Sequence, residues 1–154
     1  MSQFRVPGHR GYTMIEMAIT LVVTGIVTTV GIVTLAPAVE HGKVRSAANV
    51  VAGDLQYAQA LAVRNRRPIS VVVDSTQKQL VIRDRDVPAN VHRTRALGGT
   101  SDFALDRVSA TAASVQLFPN GVAGSTITLT LGLRGFERQV RLTRAGQIRI
   151  IRTP

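Results

Sequence analysis

The sequence predicts an α+β fold in which one long N-terminal helix carries an antiparallel β-sheet domain. Charge, spacing and period all point to it. From Met17 to Val39 no residue carries a charge. Val44, Ala48, Val51, Leu55, Ala58 and Ala62 recur at spacings of four and three, which draws one apolar stripe along a helix. Beyond Pro68 the period of the apolar residues falls toward two, that of half-buried strands. The expected divisions are a leader at 1–11, a membrane-spanning helix at 12–39, its amphipathic continuation at 40–67 and a β-rich domain at 68–154.

The first element is a short basic leader containing Arg5, His9 and Arg10. It runs into Gly11-Tyr12-Thr13-Met14-Ile15-Glu16. A carboxylate in a membrane-length segment costs on the order of 2.5–3.5 kcal/mol at a helix centre, so Glu16 at its mouth calls for a functional reason. The pattern reads as a processing site and an assembly signal together.

The uncharged run that follows is 23 residues long. As a helix it would measure ~35 Å, enough to cross a ~30 Å hydrocarbon core with some tilt. Thr20, Thr24 and Thr28 share one face, and a threonine hydroxyl is tolerated there because it can bond to a carbonyl one turn earlier. A cleaved secretory signal ending near Ala36-Pro37-Ala38 is the competing reading. The apolar run exceeds the ~7–15 residues of such signals, and Glu16 stands where only positive charge belongs. Arg5 and Arg10 would stay cytoplasmic while the long C-terminal domain is translocated.

The helix is expected to continue to about Arg66, with Pro37 bending it or loosening a turn. Asn65-Arg66-Arg67-Pro68 ends it, because a residue before proline avoids helical geometry. Lys43, Arg45, Asn49, Asp54, Gln56 and Gln59 lie mainly off the apolar stripe. Next, Ile69–Val73 and Gln79–Arg83 flank Asp74-Ser75-Thr76-Gln77-Lys78 as a hairpin. Residues 84–106, with Pro88 and Gly98-Gly99, read as loop. Ser114–Phe118, Thr126–Leu133, Glu137–Arg144 and Gln147–Arg152 complete about six strands, with turns at Pro119-Asn120-Gly121 and Ala145-Gly146.

Composition narrows the function classes. The net charge is +10, and from His41 onward 17 basic residues face 7 acidic ones. Such an excess favours an anionic partner, whether nucleic acid, lipid surface or an acidic neighbouring subunit. With no cysteine there is neither a disulfide framework nor a thiolate metal site. His9, His41 and His92 share no ligand spacing, and no phosphate loop, nucleophile elbow or metal signature occurs. Asp84 and Asp86 beside Arg85 read as salt-bridged surface charge. The expectation is a protein that is not an enzyme and carries no cofactor or metal.

Gly11 followed by Tyr-Thr-Met-Ile-Glu resembles the type III signal of type IV pilins and of the pseudopilins of type II secretion. The whole layout is similar to the GspH/FimT group of minor members: long helix, hairpin, loop, Phe118-Pro119-Asn120-Gly121 turn, and a closing Gly146-x-x-Arg149 strand. The resemblance implies a pilin-like fold and cleavage by a prepilin peptidase between Gly11 and Tyr12. Tyr12 would become the N-methylated mature terminus. Glu16 would recruit a subunit and neutralise a neighbour's terminal amine. The implied partners are other pilins or pseudopilins, the peptidase and the inner membrane, with the domain periplasmic and later part of a periplasmic or extracellular filament. Val33 stands where many members carry a helix-loosening proline, and Pro37 follows four residues later.

A second reading adds DNA binding during uptake. Arg134, Arg138, Arg141, Arg144, Arg149 and Arg152 stand against Glu137 alone after Leu133. Arg138, Arg141, Arg144, Arg149 and Arg152 are the candidate phosphate contacts. With Arg134 counted too, six phosphate contacts would give a log–log salt slope of roughly −5 on duplex DNA. The alternative is an arginine-rich edge that discourages strand-to-strand aggregation. DNA-binding members carry Gly-Arg-x-Arg near the C-terminus, whereas here Gln147 replaces the first arginine.

Overall fold

The computed structural model describes residues 11–99 and 101–152, with the side chains of 30–36 outside the described set. The leader residues Arg5, His9 and Arg10 also lie outside it. Helix α1 spans Met14–Asn65 and contains Pro37. The chain divides into two compact units, one ending at Pro37 and the other beginning at Ala38.

In the first unit, Thr13 caps the helix. Its hydroxyl oxygen accepts the Glu16 backbone N–H at 3.2 Å, one half of a Thr-x-x-Glu capping box. Further along, the hydroxyls of Thr20, Thr24, Thr28 and Thr29 donate to the carbonyls of Met17, Thr20, Thr24 and Gly25 at 2.7–2.9 Å. These are the back-bonds that the spacing predicts, and they leave no hydroxyl of the four without a partner.

The second unit holds eight strands: β1 Ile69–Asp74, β2 Gln79–Asp84, β3 Val91–Ala96, β4 Arg107–Ala110, β5 Ser114–Leu117, β6 Ile127–Leu133, β7 Phe136–Leu142 and β8 Ile148–Arg152. They form two four-stranded antiparallel sheets, ordered β3-β2-β1-β5 and β4-β6-β7-β8. Every residue of the stripe from Val44 to Ala62 is buried, joined in one core by Ile69 and Val71 of β1, Leu80 and Ile82 of β2, and the apolar face of β6 and β7. The β1–β2 hairpin is as expected: the Asp74 carboxylate accepts the N–H groups of Thr76 and Gln77 at 2.9 Å each, which is how aspartate stabilises a turn. Arg66, at φ 51°, ends α1 in the left-handed conformation just before Pro68.

Two strands depart from expectation. Residues 84–106 are not all loop, since β3 lies within them and Leu97 and Leu105 are fully buried. β3 reads Val-His-Arg-Thr-Arg-Ala and so has no apolar alternation, because its inward positions are Arg93 and Arg95, register partners of Ile82 and Leu80. β4 is only four residues long, too short for a period to declare itself.

Gly146 ties three parts of the second unit together. At φ 80° it closes the turn before β8, and its carbonyl accepts the Gln59 side-chain N–H of α1 at 2.8 Å. Its Cα faces the carbonyl of Gly121, at the end of the Phe118-Pro119-Asn120-Gly121 turn. The Ala123 N–H donates to the Arg144 carbonyl at 2.9 Å alongside.

Candidate functional site

The N-terminal segment presents apolar surface in every direction. Tyr12 is 72% exposed and Met14 94% exposed, and Ile15, Met17, Ile19, Leu21, Val22, Val23, Ile26 and Val27 are all exposed as well. A helix apolar all round has to be covered by lipid or by other protein. Among the described residues no helix is long and apolar enough to cross a membrane. The uncharged run extends through 30–36, whose side chains lie outside them, so the expected span rests on the sequence.

Glu16 sits in the first turn of α1, where the helix dipole favours a negative charge. Its carboxylate makes no ion pair among the described residues. Gly11 is exposed, and no described residue lies within 4 Å of a Cβ built on it.

Strand register divides the C-terminal arginines between two faces. Arg141 and Arg149 are direct partners across β7 and β8, on the same outward face as Thr128 and Gln139. Both are exposed, and their nearest polar partners are neutral: Arg141 Nε donates to Thr128 Oγ1 at 3.4 Å, and Arg149 reaches Gln147 Oε1 at 3.5 Å. Val140 and Leu142 face inward, as expected. Arg138 and Arg152 are also direct partners, but they lie on the opposite strand face, that of Val140, where Arg138 is half-buried and Arg152 exposed. Arg144 lies in the turn between the strands, and Arg134 is engaged by Glu40 at 2.6 Å. The five candidate arginines therefore do not form one surface.

Sequence reading missed a buried ionic cluster. Asp54, placed off the stripe by that reading, is only 2% exposed. It accepts Arg93 Nη1 at 2.7 Å and Arg95 through Nε at 2.8 Å and Nη2 at 3.2 Å, while the Arg93 guanidinium stacks 4.2 Å from the Tyr57 ring centre. The signal was present in the spacing: Asp54 lies three residues after Val51 and four before Ala58, on the rim of the same helix face. Two inward arginines on edge strand β3 also protect that edge from pairing with another chain.

Burial pushes the Asp54 carboxyl up, but the hydrogen bonds and charges of Arg95 and Arg93 outweigh it and hold it below its ordinary 3.8. A depressed folded-state value means stability present above the unfolded value and lost as pH falls through the folded one. Melting followed by circular dichroism between about pH 3 and 6 is expected to show this acid loss in the wild type and a flatter profile in Asp54→Asn. Equal pH slopes in the two proteins would contradict it.

Asp84 pairs with His92 at 2.8 Å and with Asn90, rather than with Arg85. The hydrogen bonds from His92 and Asn90 hold its carboxyl below the ordinary range. Among the described residues no group of three histidine, cysteine or acidic side chains could hold a metal ion.

Residues 47–146 match the family described as Type II transport protein GspH, and residues 7–32 match the prokaryotic N-terminal methylation motif. No curated protein matches the chain. Among solved structures, it is similar to the Pseudomonas aeruginosa PAO1 type IV minor pilin FimU in two crystal forms. One has a TM-score of 0.55 at 23% identity, covering 70% of this chain and 91% of that one. The other has 0.57 at 24% identity, covering 75% and 91%. The minor pseudopilin EpsH of the Vibrio cholerae Type 2 Secretion System gives 0.58 at 13% identity, covering 71% and 97%. At these identities the likeness speaks for the fold alone, a helix packed on antiparallel sheet.

Proposed function

This chain belongs to the GspH family of type II transport proteins, and we propose that it is a minor filament subunit, anchored in the inner membrane and assembled through its N-terminal helix. The observation that carries the reading is Glu16: an acidic side chain one turn from Tyr12, unpaired among the described residues, in the first part of α1, where the side chains up to Thr29 are all exposed. A prepilin peptidase cleaves after Gly11, Tyr12 becomes the methylated terminus, and the Glu16 carboxylate meets the Tyr12 ammonium of a neighbouring subunit. A buried carboxylate alone is costly, whereas a carboxylate paired with an ammonium is largely compensated. The domain stands in the periplasm and enters a secretion pseudopilus or a type IV pilus. It acts by assembly rather than catalysis. Filaments sheared from cells should contain the chain; its confinement to the membrane fraction would contradict the reading.

The cross-strand pair Arg141–Arg149 favours a second reading, DNA binding by the assembled subunit. Two exposed guanidiniums directly opposite each other repel unless an anion lies between them. With Arg138 and Arg152 on the other face, about three phosphate contacts remain (Arg141, Arg144 and Arg149), and the expected log–log salt slope becomes roughly −3. Gel-shift titration of a fragment starting near His41 should show sequence-independent, salt-sensitive binding that Arg149→Gln weakens. No shift at about 50 mM salt would dispose of the idea.

A further inference from the structure

The second arginine pair lies in a different setting. Half-buried Arg138 of β7 and exposed Arg152 of β8 are direct register partners on the strand face that carries Val140, and both line a cavity of about 330 Å³ with His41 and Val44 of α1 and Phe136 of β7. The Phe136 and His41 rings lie 3.6 Å apart, so the cavity has one firm aromatic wall. The carboxylates nearby are already committed. Glu137, which also lines the cavity, accepts Arg107 at 2.8 Å, and Glu40 accepts Arg134 at 2.6 Å. Among the described residues neither Arg138 nor Arg152 makes an ion pair.

Two like charges held directly opposite on adjacent strands are unfavourable by themselves. A phosphate between them would turn that repulsion into two charge-assisted contacts, for which the guanidinium fork is well shaped. The position in the chain indicates which phosphate. His41 follows Val39, the last residue of the uncharged run, by two positions, so the cavity belongs to the stretch of chain that leaves the bilayer among the headgroups. Val44 and Phe136 supply apolar wall for glycerol carbons, and a cavity of this size excludes a nucleic-acid duplex.

We propose that Arg138 and Arg152, paired across β7 and β8 beside His41, hold the phosphate of an anionic phospholipid headgroup. The proposal rests on the membrane anchoring inferred above. It would hold the second unit at the leaflet until the subunit is drawn into a filament.

The test uses the full chain in neutral detergent, offered equal phosphatidylglycerol and phosphatidylcholine and read by native mass spectrometry. The wild type should retain one phosphatidylglycerol with a preference of about twenty-fivefold, from two surface charges contributing about fivefold each. The double variant Arg138→Gln/Arg152→Gln should lose that preference, while Arg141→Gln/Arg149→Gln keeps it. If the first double variant does not fold by circular dichroism, Arg152→Gln alone, on the exposed edge strand, carries the comparison with about a fivefold loss. Equal retention of the two lipids by the wild type would overturn the proposal. So would full displacement of the lipid by millimolar inorganic phosphate. Carbonate extraction of cells reports anchoring separately: a chain anchored but without lipid preference overturns the headgroup site alone, and a chain released by carbonate overturns the anchoring as well.

Discussion

Glu16→Ala is expected to leave the protein processed and membrane-inserted yet at least about a hundredfold depleted from filaments. The magnitude follows from the pair it would break. Removing one partner of a buried carboxylate–ammonium pair costs ~3–5 kcal/mol, and ~2.7 kcal/mol is already a factor of a hundred in association. The capping geometry provides an internal control. Thr13 accepts the backbone N–H of Glu16, not its side chain, so the substitution leaves that bond intact. Thr13→Ala removes the cap at a cost of ~1 kcal/mol but keeps the carboxylate, and should still assemble. Glu16→Gln keeps the shape without the charge, and should fail like alanine. If Glu16→Ala and Glu16→Gln assemble normally while Thr13→Ala fails, the Glu16 carboxylate is not a subunit contact and assembly depends on the helix start that Thr13 caps.

Gly146→Ala is expected to be the most damaging small change in the second unit. Residue 146 sits at φ 80°, a conformation costly for any residue with a Cβ, and a methyl there would overlap the Gly121 carbonyl oxygen and press on the Gln59 amide. Backbone strain of ~1–3 kcal/mol and overpacking of ~1–3 kcal/mol together give roughly 3 kcal/mol or more. For a domain of this size that is a fall of roughly 10 °C or more in Tm. Gly53→Ala is the contrasting change: Gly53 is an exposed helix residue with nothing within 4 Å of an added Cβ. It should stabilise by ~0.5–1 kcal/mol through helix propensity. Thermal melts of the two variants should move in opposite directions; a Gly146→Ala protein that melts like the wild type would remove the turn from its structural role.

Much of this was readable from residue order because it depends on local spacing. The stripe from Val44 to Ala62, the Asp74 hairpin turn and the threonine back-bonds are all settled within a few residues of chain. The motif carrying the family resemblance was also local, and Gly146 within it proved to be a turn glycine locked against Gly121 and Gln59. What escaped depends on partners distant in sequence. β3 looks like loop until Asp54, 39 and 41 residues earlier, is placed opposite Arg93 and Arg95. The arginines after Leu133 look like one basic patch until strand alternation sends Arg141 and Arg149 one way and Arg138 and Arg152 the other. The Thr13 cap is local too, and its Thr-x-x-Glu pattern coincides with the segment that serves assembly.

The intact mass of the chain recovered from sheared filaments reports both where the N-terminus is cut and whether it is modified. Processing between Gly11 and Tyr12, followed by assembly through Glu16, predicts a chain that begins at Tyr12 and carries one added methyl group. A chain that retains its leader, or one cut near Ala38 as a secretory signal would be and so lacking Glu16, would contradict the account.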